Sequence, residues 1–461
     1  MFRLWMASTL RRTETRRSKP EPGFDWRRIA FNSLVSRGLD DLEEETNRNR
    51  TKVPKDHLVL YQFSARGHEV AQCILGSLIN HPRDAVSAYY RSRPMLLSVG
   101  LSIEDAAGSP LGRAGGFSDG RDIGVVCNLP NDGGPVVLPM SGDVGSQFTP
   151  AAGWAQAIQY HRDVLGDKSY EGAIAVVLGG EASVATNGFW SSLTIATTLR
   201  LPMLFYIEDN GLGISVRGDM QTPGGNVARN LGAFGNLMVR DGDGTNAEES
   251  ARLLKECVDA VRNGDGPALV RLTVPRLNSH SGPDNQKGYR SDAEIAADEK
   301  RDPLPRLKQF LVPRLMPADA WDAVQREATD AVASGVVAAR ERPAPDPAGV
   351  KRFIYAESVE PGDTRALGGL SQAEIEKLGG TPQASQSGEP LRFADAVRRT
   401  LKHELGVNPK LLVFGEDVGR IGGVHLVTEG LQREFGESRV FDTSLSEEGI
   451  IGRSVGMRSP G

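Results

Sequence analysis

Residues 174–211 have the sequence IAVVLGGEASVATNGFWSSLTIATTLRLPMLFYIEDNG. Two short apolar runs, 174–178 and 204–207, are dense in residues that favour strands, and a helical pattern at 189–199 separates them. A buried strand, a crossover helix and a second buried strand form the repeating unit of parallel sheets. This stretch therefore predicts an α/β fold, doubly wound, with a mainly parallel sheet.

The same alternation continues towards the C-terminus. A third apolar run at 268–274 follows a helical pattern at 248–261, which carries acidic residues in its first turn. The segment 339–390 is rich in Gly and Pro, as linkers are, and helical periodicity resumes at 394–405 before a short strand at 411–414. The predicted regions are a basic, poorly ordered segment at 1–50, an α/β domain at 51–335, a linker at 336–390 and a partial second α/β module at 391–461.

The composition excludes several classes of protein. The 461 residues carry a net charge of −5, which gives no basis for nucleic-acid binding. No apolar run approaches the ~18 residues that a membrane helix needs. The three cysteines form no CxxC pair, and the Arg-rich segment 1–28 lacks the apolar core and cleavage site of a secretory signal. We therefore expect a cytoplasmic protein, or a mitochondrial-matrix protein if the source is a eukaryote.

Acidic and amide side chains follow the first two predicted strands. Glu181 comes directly after Gly179 and Gly180, and Asn210 follows the second strand 29 positions later. Because the carboxyl ends of parallel strands share one edge of a sheet, we expect the two side chains to meet there. A carboxylate and an amide oxygen, completed by phosphate oxygens, suit Mg²⁺. The residues alone leave a second interpretation open, in which both glycines form a simple turn, Glu181 begins a helix and Asn210 is a turn residue.

Two other binding motifs do not fit this chain. The sequence after the first strand, GGEASVATNG, lacks the G-x-G-x-x-G of dinucleotide-binding turns. The acidic stretch that begins at Asp241 has Asn246 where a calcium-binding EF-hand loop needs Gly, and Arg252 where it needs Glu. Neither a Rossmann site nor an EF-hand is therefore predicted.

The two loops resemble the fingerprint of thiamine-diphosphate-dependent enzymes, which consists of Gly-Asp-Gly, a spacer and Asn-Asn. Gly180-Glu181-Ala182 takes the place of Gly-Asp-Gly, and Asp209-Asn210 takes the place of Asn-Asn. The resemblance implies the thiamine-diphosphate-binding fold for this domain.

By this resemblance, Glu181, the Asn210 side chain and the Leu212 carbonyl hold Mg²⁺ on the diphosphate, and Gly180 and Ala182 lie beside the cofactor. Three positions depart from the family pattern. Glu181 replaces Asp, which keeps the charge on a longer arm and is also the choice of the branched-chain members. Ala182 replaces a Gly, which matters if the backbone there needs a positive φ. Leu212 replaces Tyr, although only its carbonyl is required.

Two upstream segments also resemble the family. Tyr89-Tyr90-Arg91 is similar to its Tyr-Arg pair, in which Arg91 would bind the diphosphate and Tyr90 would lie by the aminopyrimidine. The loop SGDVGSQFTP at 141–150 is similar to the loop that lines the pyrimidine, where the Val144 backbone would contact the cofactor. The alternatives are a helix end with a surface arginine and the first turn of a helix.

A downstream loop, NSHSGPD at 278–284, resembles the family's His-Ser loop. The resemblance puts His280 over the cofactor, where it would bind the cofactor and assist acyl transfer to a lipoyl group. A loop histidine that titrates near pH 7 can donate a proton or orient an acid. Without the surrounding match, a solvent-exposed histidine is the simpler interpretation.

Residues 391–457 resemble the start of the family's β chain, with dense matches in FGEDVGRIGGVHLVTEGL and RVFDTSLSEEGIIGRSVGM. Glu447 stands at the position of the catalytic glutamate, whose carboxyl group hydrogen-bonds the pyrimidine ring. The family's β half is much longer, so we expect it to be truncated here, by a natural stop or by an error in the gene sequence. We further expect that the chain alone holds its cofactor weakly and that its activity is impaired.

Together these matches resemble the decarboxylating component of 2-oxo acid dehydrogenase complexes, of the branched-chain type. The resemblance implies oxidative decarboxylation of a branched-chain 2-oxo acid with thiamine diphosphate and Mg²⁺, and acyl transfer to the lipoyl groups of an acyltransferase core. A β-type subunit or a second copy of the chain is the expected partner. Pyruvate- or acetoin-type chemistry is one alternative, and a non-catalytic truncated subunit is another.

Overall fold

The computed structural model describes residues 23–122, 129, 133–352, 373 and 391–458. The strands in these residues are β1 (Ala85–Ser87), β2 (Val136–Val137), β3 (Ala175–Gly180), β4 (Met203–Asp209), β5 (Leu212–Gly213), β6 (Val216–Arg217), β7 (Met238–Asp243), β8 (Ala268–Thr273), β9 (Val413–Gly415) and β10 (Val440–Asp442). The α-helices are α1 (Trp26–Arg48), α2 (Glu69–Leu78), α3 (Arg93–Ser98), α4 (Ile103–Gly108), α5 (Phe148–Asp163), α6 (Asn187–Leu199), α7 (Gly218–Gln221), α8 (Val227–Leu231), α9 (Ala247–Arg262), α10 (Asp292–Glu299), α11 (Pro303–Leu311), α12 (Ala318–Glu341), α13 (Phe393–Val407), α14 (Leu431–Phe435) and α15 (Glu447–Arg458).

Six strands form one parallel sheet in the order β2-β1-β3-β4-β8-β7. The three strands predicted from apolar runs are β3, β4 and β8, which lie next to one another in this sheet. Helix α6 connects β3 to β4, and α9 connects β7 to β8. The predicted doubly wound α/β fold is therefore confirmed.

Neighbouring residues of the central strands point to opposite faces of the sheet, as the strand period of two requires. Val176 and Leu178 join a core on one face, which α1, α2, α9 and α12 cover. Ala175 and Val177 join a core on the other face, which α5, α6 and α8 cover. Burial on both faces explains why these strands are continuous apolar runs rather than alternating ones.

Local signals in the sequence set the helix ends. The Thr186 side chain accepts a hydrogen bond from the Phe189 N–H and begins α6, and Arg200 ends that helix in the left-handed conformation. Asn246 caps α9 in the same way, with Glu248 and Glu249 in its first turn. None of the helices in the described ranges combines the length and apolar composition needed to cross a membrane.

Two predicted boundaries need correction. Residues 26–48 were expected to be poorly ordered, but they form α1, whose Ile29, Val35 and Leu39 are buried against the core. The many charged residues of α1 conceal this apolar stripe in the sequence. The predicted linker begins too early, because α12 continues to Glu341 and buries Val336. Residues 1–22 and most of the predicted linker lie outside the described residues.

The module at 391–458 buries few side chains of its own. Its core cluster consists of Leu405, Leu431 and Val440. Helix α15 packs instead on α5 and α6 of the first domain. Glycines allow the close approach, since a Cβ on Gly456 would lie 1.9 Å from the Pro150 carbonyl oxygen. This module is therefore stabilised mainly by the first domain.

Replacing Gly456 with Ala should weaken the contact between α15 and α5, because the added methyl group forces the two backbones apart. Overpacking of this kind costs about 1–3 kcal/mol. Gly406→Ala is a matched control in α13, where nothing lies within 4 Å of an added Cβ. Thermal unfolding should show a lower midpoint for Gly456→Ala only. Equal midpoints for both variants would contradict the packing described for α15.

Candidate functional site

The loops that follow β3 and β4 meet at one edge of the sheet. The two strands pair in parallel with Gly180 opposite Glu208, so the residues after each strand leave the sheet side by side. The backbone N–H of Asn210 donates a hydrogen bond of 3.1 Å to the Glu181 carboxylate. The two loops therefore meet as predicted, while the Asn210 side-chain oxygen accepts a hydrogen bond from the Leu212 N–H at 3.2 Å. A cation shared by the Glu181 and Asn210 side chains stays a prediction.

The backbone at these loops explains which residues they accept. Ala182 has a φ of −76°, so an alanine causes no strain where the family fingerprint has glycine. Position 179 has no room for a side chain, because a Cβ there would lie 2.5 Å from the Ser183 Oγ and 2.8 Å from the Phe148 ring. Gly211 has a φ of +77°, which favours glycine in the turn after β4.

The two loops border a cavity of about 340 Å³. This volume lies within the usual range of ligand-binding pockets. Every residue predicted for cofactor or metal binding lines this cavity: Tyr90, Arg91, Val144, Gly180, Glu181, Ala182, Asn210, Leu212 and His280. The fold thus brings together residues from five separate segments of the sequence.

Glu181 is a buried carboxylate that forms no ion pair in the described part of the chain, although the charge of Arg91 acts on it from a distance. Its residue is 5% exposed. Burial and, secondly, the neighbouring Asp209 carboxylate raise the pKa of Glu181 to about 7. A nearby cation would stabilise such a carboxylate in its charged form. Together with the amide oxygen of Asn210, it fits one side of a Mg²⁺ site that phosphate oxygens complete.

Metal ligation by the protein alone is not supported. No group of three or more His, Cys, Asp or Glu side chains that could hold a metal ion occurs among the described residues. Glu181 and Asn210 would therefore supply only part of a coordination shell. This incomplete donor set is typical of a Mg²⁺ ion that is bound together with a phosphate ligand.

Arg91 supplies a buried positive charge at the same cavity. Its residue is 3% exposed, and its guanidinium donates hydrogen bonds to the carbonyl oxygens of Ser64 and His280. No carboxylate of the described ranges forms an ion pair with it. The guanidinium also lies 3.5 Å from the His280 Nδ1. A guanidinium whose hydrogen-bond partners are all neutral groups keeps its charge available for an anionic ligand. Arg91 therefore fits the predicted role in diphosphate binding.

Aromatic rings form one wall of the cavity. The Tyr90 ring lies 4.2 Å from that of Phe63 between centroids, and His280 lies 5.7 Å from Tyr90 and 5.5 Å from Phe63. The rings meet at tilted or edge-on angles, which are favourable for aromatic pairs. The faces and edges of these three rings therefore form a continuous aromatic surface on one side of the site.

The electrostatics of His280 differ from the expectation. Burial, followed by the charges of Arg91 and Arg276, lowers the pKa of His280 to about 4. Titration near pH 7, as considered for a loop histidine, does not fit this environment, because the fold buries His280 beside two arginines that are distant in the sequence. The imidazole is neutral at pH 7, so one ring nitrogen can donate a hydrogen bond and the other can accept one.

Several lining residues were not predicted from the sequence. Phe63, Ile214 and Gln221 border the cavity beside the predicted residues. Phe63 lies in an irregular segment without a motif, and the other two follow the turn after β4. Only the tertiary fold brings these residues to the site, and the local sequence carries no signal for them.

A fully buried carboxylate, Glu208, joins two walls of the site. The Tyr89 hydroxyl donates to it at 2.7 Å and the Gln72 amide at 2.8 Å. Gln72 also donates to the Arg91 carbonyl oxygen at 3.1 Å. Because Glu208 lies in β4 shortly before Asn210, this network fixes the arginine segment relative to the predicted cation loop.

Glu447 does not line the cavity. It is the exposed first residue of α15, and the neighbouring Ser446 Oγ lies 2.8 Å from the Ser191 Oγ on α6. The glycine contacts of α15 with α5 hold this helix end beside α6 instead of over the cofactor cavity. Glu447 is therefore not among the residues that line the cavity, and its contact with a cofactor stays a prediction.

A larger polar cavity, of about 690 Å³, lies behind the His280 loop. Gln62, Ser64 and Ser281 line it, whereas Phe63 and His280 line the smaller cavity. The larger cavity lacks the combination of a buried carboxylate and a buried guanidinium without ion-pair partners. The smaller cavity is therefore the candidate site.

Comparison with protein families agrees with this geometry. Residues 44–348 match the family described as dehydrogenase E1 component, and residues 389–461 match the pyrimidine-binding domain of transketolase. The chain therefore belongs to the dehydrogenase E1 component family. It combines an alpha-type domain with a beta-type segment, as an E1 component of the 2-oxo acid dehydrogenase type, and both families imply thiamine diphosphate as the cofactor.

Individual relatives match the two parts separately. The chain is 27% identical to the 2-oxoisovalerate dehydrogenase subunit alpha of Bacillus subtilis (strain 168) over 327 residues, which cover 67% of this chain and 90% of that protein. It is 49% identical over 73 residues to the pyruvate dehydrogenase E1 component subunit beta of Leifsonia xyli subsp. xyli, and 54% identical over 71 residues to that of Staphylococcus epidermidis. These matches cover 16% and 15% of this chain but only 22% of each beta subunit.

The imidazole of His280 should stay neutral down to about pH 5, because its burial and two nearby arginines oppose protonation. NMR of protein with ¹³C-labelled histidine, with the signal assigned by a His280→Gln variant, should give a midpoint near pH 4. Arg91→Met should raise this midpoint. A midpoint near the ordinary pKa of 6.5 would contradict the electrostatics described here.

Proposed function

We propose that this E1-family chain decarboxylates a branched-chain 2-oxo acid and passes the acyl group to the lipoyl groups of an acyltransferase core. The main support is one observation: Glu181, Asn210, Arg91 and His280, which lie far apart in the sequence, line one cavity at the carboxyl ends of β3 and β4. Parallel α/β sheets bind their ligands at this edge.

Each residue has a distinct proposed task. Glu181, the Asn210 side chain and the Leu212 carbonyl hold Mg²⁺, and the Arg91 guanidinium neutralises the diphosphate. Tyr90 lies by the aminopyrimidine, and Val144 contacts the cofactor through its backbone. These tasks rest on lining positions, burial and charge.

Thiamine diphosphate, when bound, supplies the carbanion chemistry that releases CO₂ from a 2-oxo acid. The protein contributes orientation and proton handling. The rings of Phe63 and Tyr90 cover one side of the site, and the neutral ring of His280 can hydrogen-bond the acyl group through a ring nitrogen. Its position beside Arg91 supports the proposed role in acyl transfer.

The catalytic glutamate must act from another polypeptide in this proposal. Glu447 is exposed beside α6 and does not line the cavity of its own chain. We therefore propose that a β-type subunit, or a second copy of this chain, brings the carboxyl group that hydrogen-bonds the pyrimidine ring. The small core of the 391–458 module supports a need for such a partner.

The substrate proposal rests on the alpha-type relative, whose name specifies 2-oxoisovalerate. The beta-type relatives are pyruvate dehydrogenase components and favour a second candidate, pyruvate. The alpha-type match covers 67% of this chain, whereas the first beta-type match covers 16%. We therefore prefer the branched-chain substrate.

Removing the carboxylate by Glu181→Gln should weaken binding of thiamine diphosphate by roughly 10-fold or more, because a metal ligand and its charge are lost and loss of an outer-shell partner alone costs about that much. Isothermal titration of the full chain with thiamine diphosphate, in Mg²⁺ and again in EDTA, measures the effect. We expect affinity weaker than micromolar for the chain alone, so the titration should reach millimolar cofactor.

Glu171→Gln is the matched control, since Glu171 is an exposed acid just before β3. It should bind the cofactor like the unaltered chain. Binding that is insensitive to both EDTA and Glu181→Gln would exclude the proposed cation site.

With a β-type subunit supplied, CO₂ release from 3-methyl-2-oxobutanoate should exceed that from pyruvate by ~10-fold or more in kcat/KM, which is the discrimination that a few methyl groups provide. The Glu181→Gln variant, assayed at a cofactor concentration below its dissociation constant, serves as the low-activity control. A preference for pyruvate would contradict the branched-chain substrate and support pyruvate instead. No CO₂ release from either acid would favour a non-catalytic subunit.

A further inference from the structure

Asp209 is the last residue of β4 and precedes Asn210, where the family fingerprint has a neutral asparagine. It is 8% exposed. One carboxylate oxygen accepts a hydrogen bond of 2.9 Å from the Gly211 N–H, and the other accepts one of 2.7 Å from the Arg271 guanidinium. The carboxylate thus links the turn after β4 to the neighbouring strand through hydrogen bonds.

Arg271 lies on β8, which is the strand between β4 and β7. The residue is 9% exposed, and its guanidinium also donates to Asp241 on β7 at 2.7 Å. One buried cation therefore joins the carboxyl ends of three adjacent strands. The sheet register makes this arrangement specific, since Arg271 is directly opposite Asp241 and two residues before the partner of Asp209.

The Asp209 carboxylate requires a compensating cation, whereas a neutral asparagine at this position would not. A buried carboxylate is unfavourable unless a cation and hydrogen bonds compensate it. Arg271 is the cation that pairs with Asp209 in the described ranges. Without it, the carboxylate would turn towards water or towards a cation in the cavity, and the Gly211 amide would lose its acceptor.

We infer that Arg271 is a positioning residue for residues 210–212, the turn after β4, which we call the cofactor loop. Arg271 acts on this loop through Asp209. By holding the Asp209 carboxylate on the Gly211 N–H, it fixes the turn that presents Asn210 and Leu212. The same contacts occupy both carboxylate oxygens of Asp209. In this inference Asp209 therefore stabilises the turn and does not ligate the cation. The inference rests on the proposed function only for the identity of the ligand at that loop.

The experiment is a double-mutant cycle on the full chain with Arg271→Met, Asp209→Asn and the combined variant. Arg271→Met should weaken binding of thiamine diphosphate with Mg²⁺ by roughly 10- to 100-fold, as loss of an outer-shell partner does. Asp209→Asn should bind nearly as the unaltered chain does, because an amide oxygen can still accept the Gly211 N–H. The combined variant should regain most of the affinity lost in Arg271→Met, because it no longer buries an unpaired charge.

Arg240→Met is the matched control. Arg240 is an arginine of β7 that pairs with Glu256 in a partly buried ion pair on the side of the sheet away from β4. It should leave cofactor affinity unchanged. Rescue by Asp209→Asn shows that Arg271 acts through Asp209. Faster amide exchange confined to the turn after β4 separates positioning of that turn from general destabilisation, which would speed exchange throughout the sheet.

Hydrogen–deuterium exchange without cofactor gives an independent readout. The Gly211 amide should exchange faster in Arg271→Met, and slowly again in the combined variant. If the unaltered chain fails to bind thiamine diphosphate, the proposed function fails while this exchange pattern still tests the inference. Unchanged exchange and affinity in Arg271→Met, an absence of rescue, or tighter Mg²⁺ binding in Arg271→Met would overturn the inference.

Discussion

The hydrogen bond from the Asn210 backbone N–H to the Glu181 carboxylate joins the two loops from which the site is built. It can form because β3 and β4 pair in parallel with Gly180 opposite Glu208. A slip of one residue in this register would turn the side chains at the strand ends to the opposite face. Burial of both sheet faces under helices prevents such a slip, so the core fixes the geometry of the site.

The charges at the cavity complement a ligand that contains both a cation and an anion. Glu181 and Arg91 are both buried, and neither forms an ion pair within the described residues. A Mg²⁺–diphosphate group would satisfy both, since the metal compensates the carboxylate and the phosphates compensate the guanidinium. The hydrogen bonds of Gln72 to Glu208 and to the Arg91 carbonyl oxygen hold the Arg91 segment at a fixed distance from β4. The site is therefore prepared for a charged ligand before that ligand arrives.

The sequence predicted the part of the site that depends on local motifs. The strand ends at Glu181 and Asn210 follow from apolar runs and one crossover helix, and the structure joins them as expected. Phe63 escaped prediction because its position depends on how an irregular segment packs against Tyr90. The low pKa of His280 depends on burial and on two arginines that are distant in the sequence. The position of Glu447 was also not predictable, since the packing of α15 on α5 decides it.

Anomalous diffraction from crystals of the chain grown with thiamine diphosphate and Mn²⁺, a substitute for Mg²⁺ that scatters anomalously, tests the central claim most directly. The account predicts one strong peak within coordination distance, roughly 2.0–2.3 Å, of a Glu181 carboxylate oxygen and the Asn210 side-chain oxygen, with diphosphate oxygens completing the shell. A peak outside this cavity, or a cofactor bound without contact to either side chain, would contradict it.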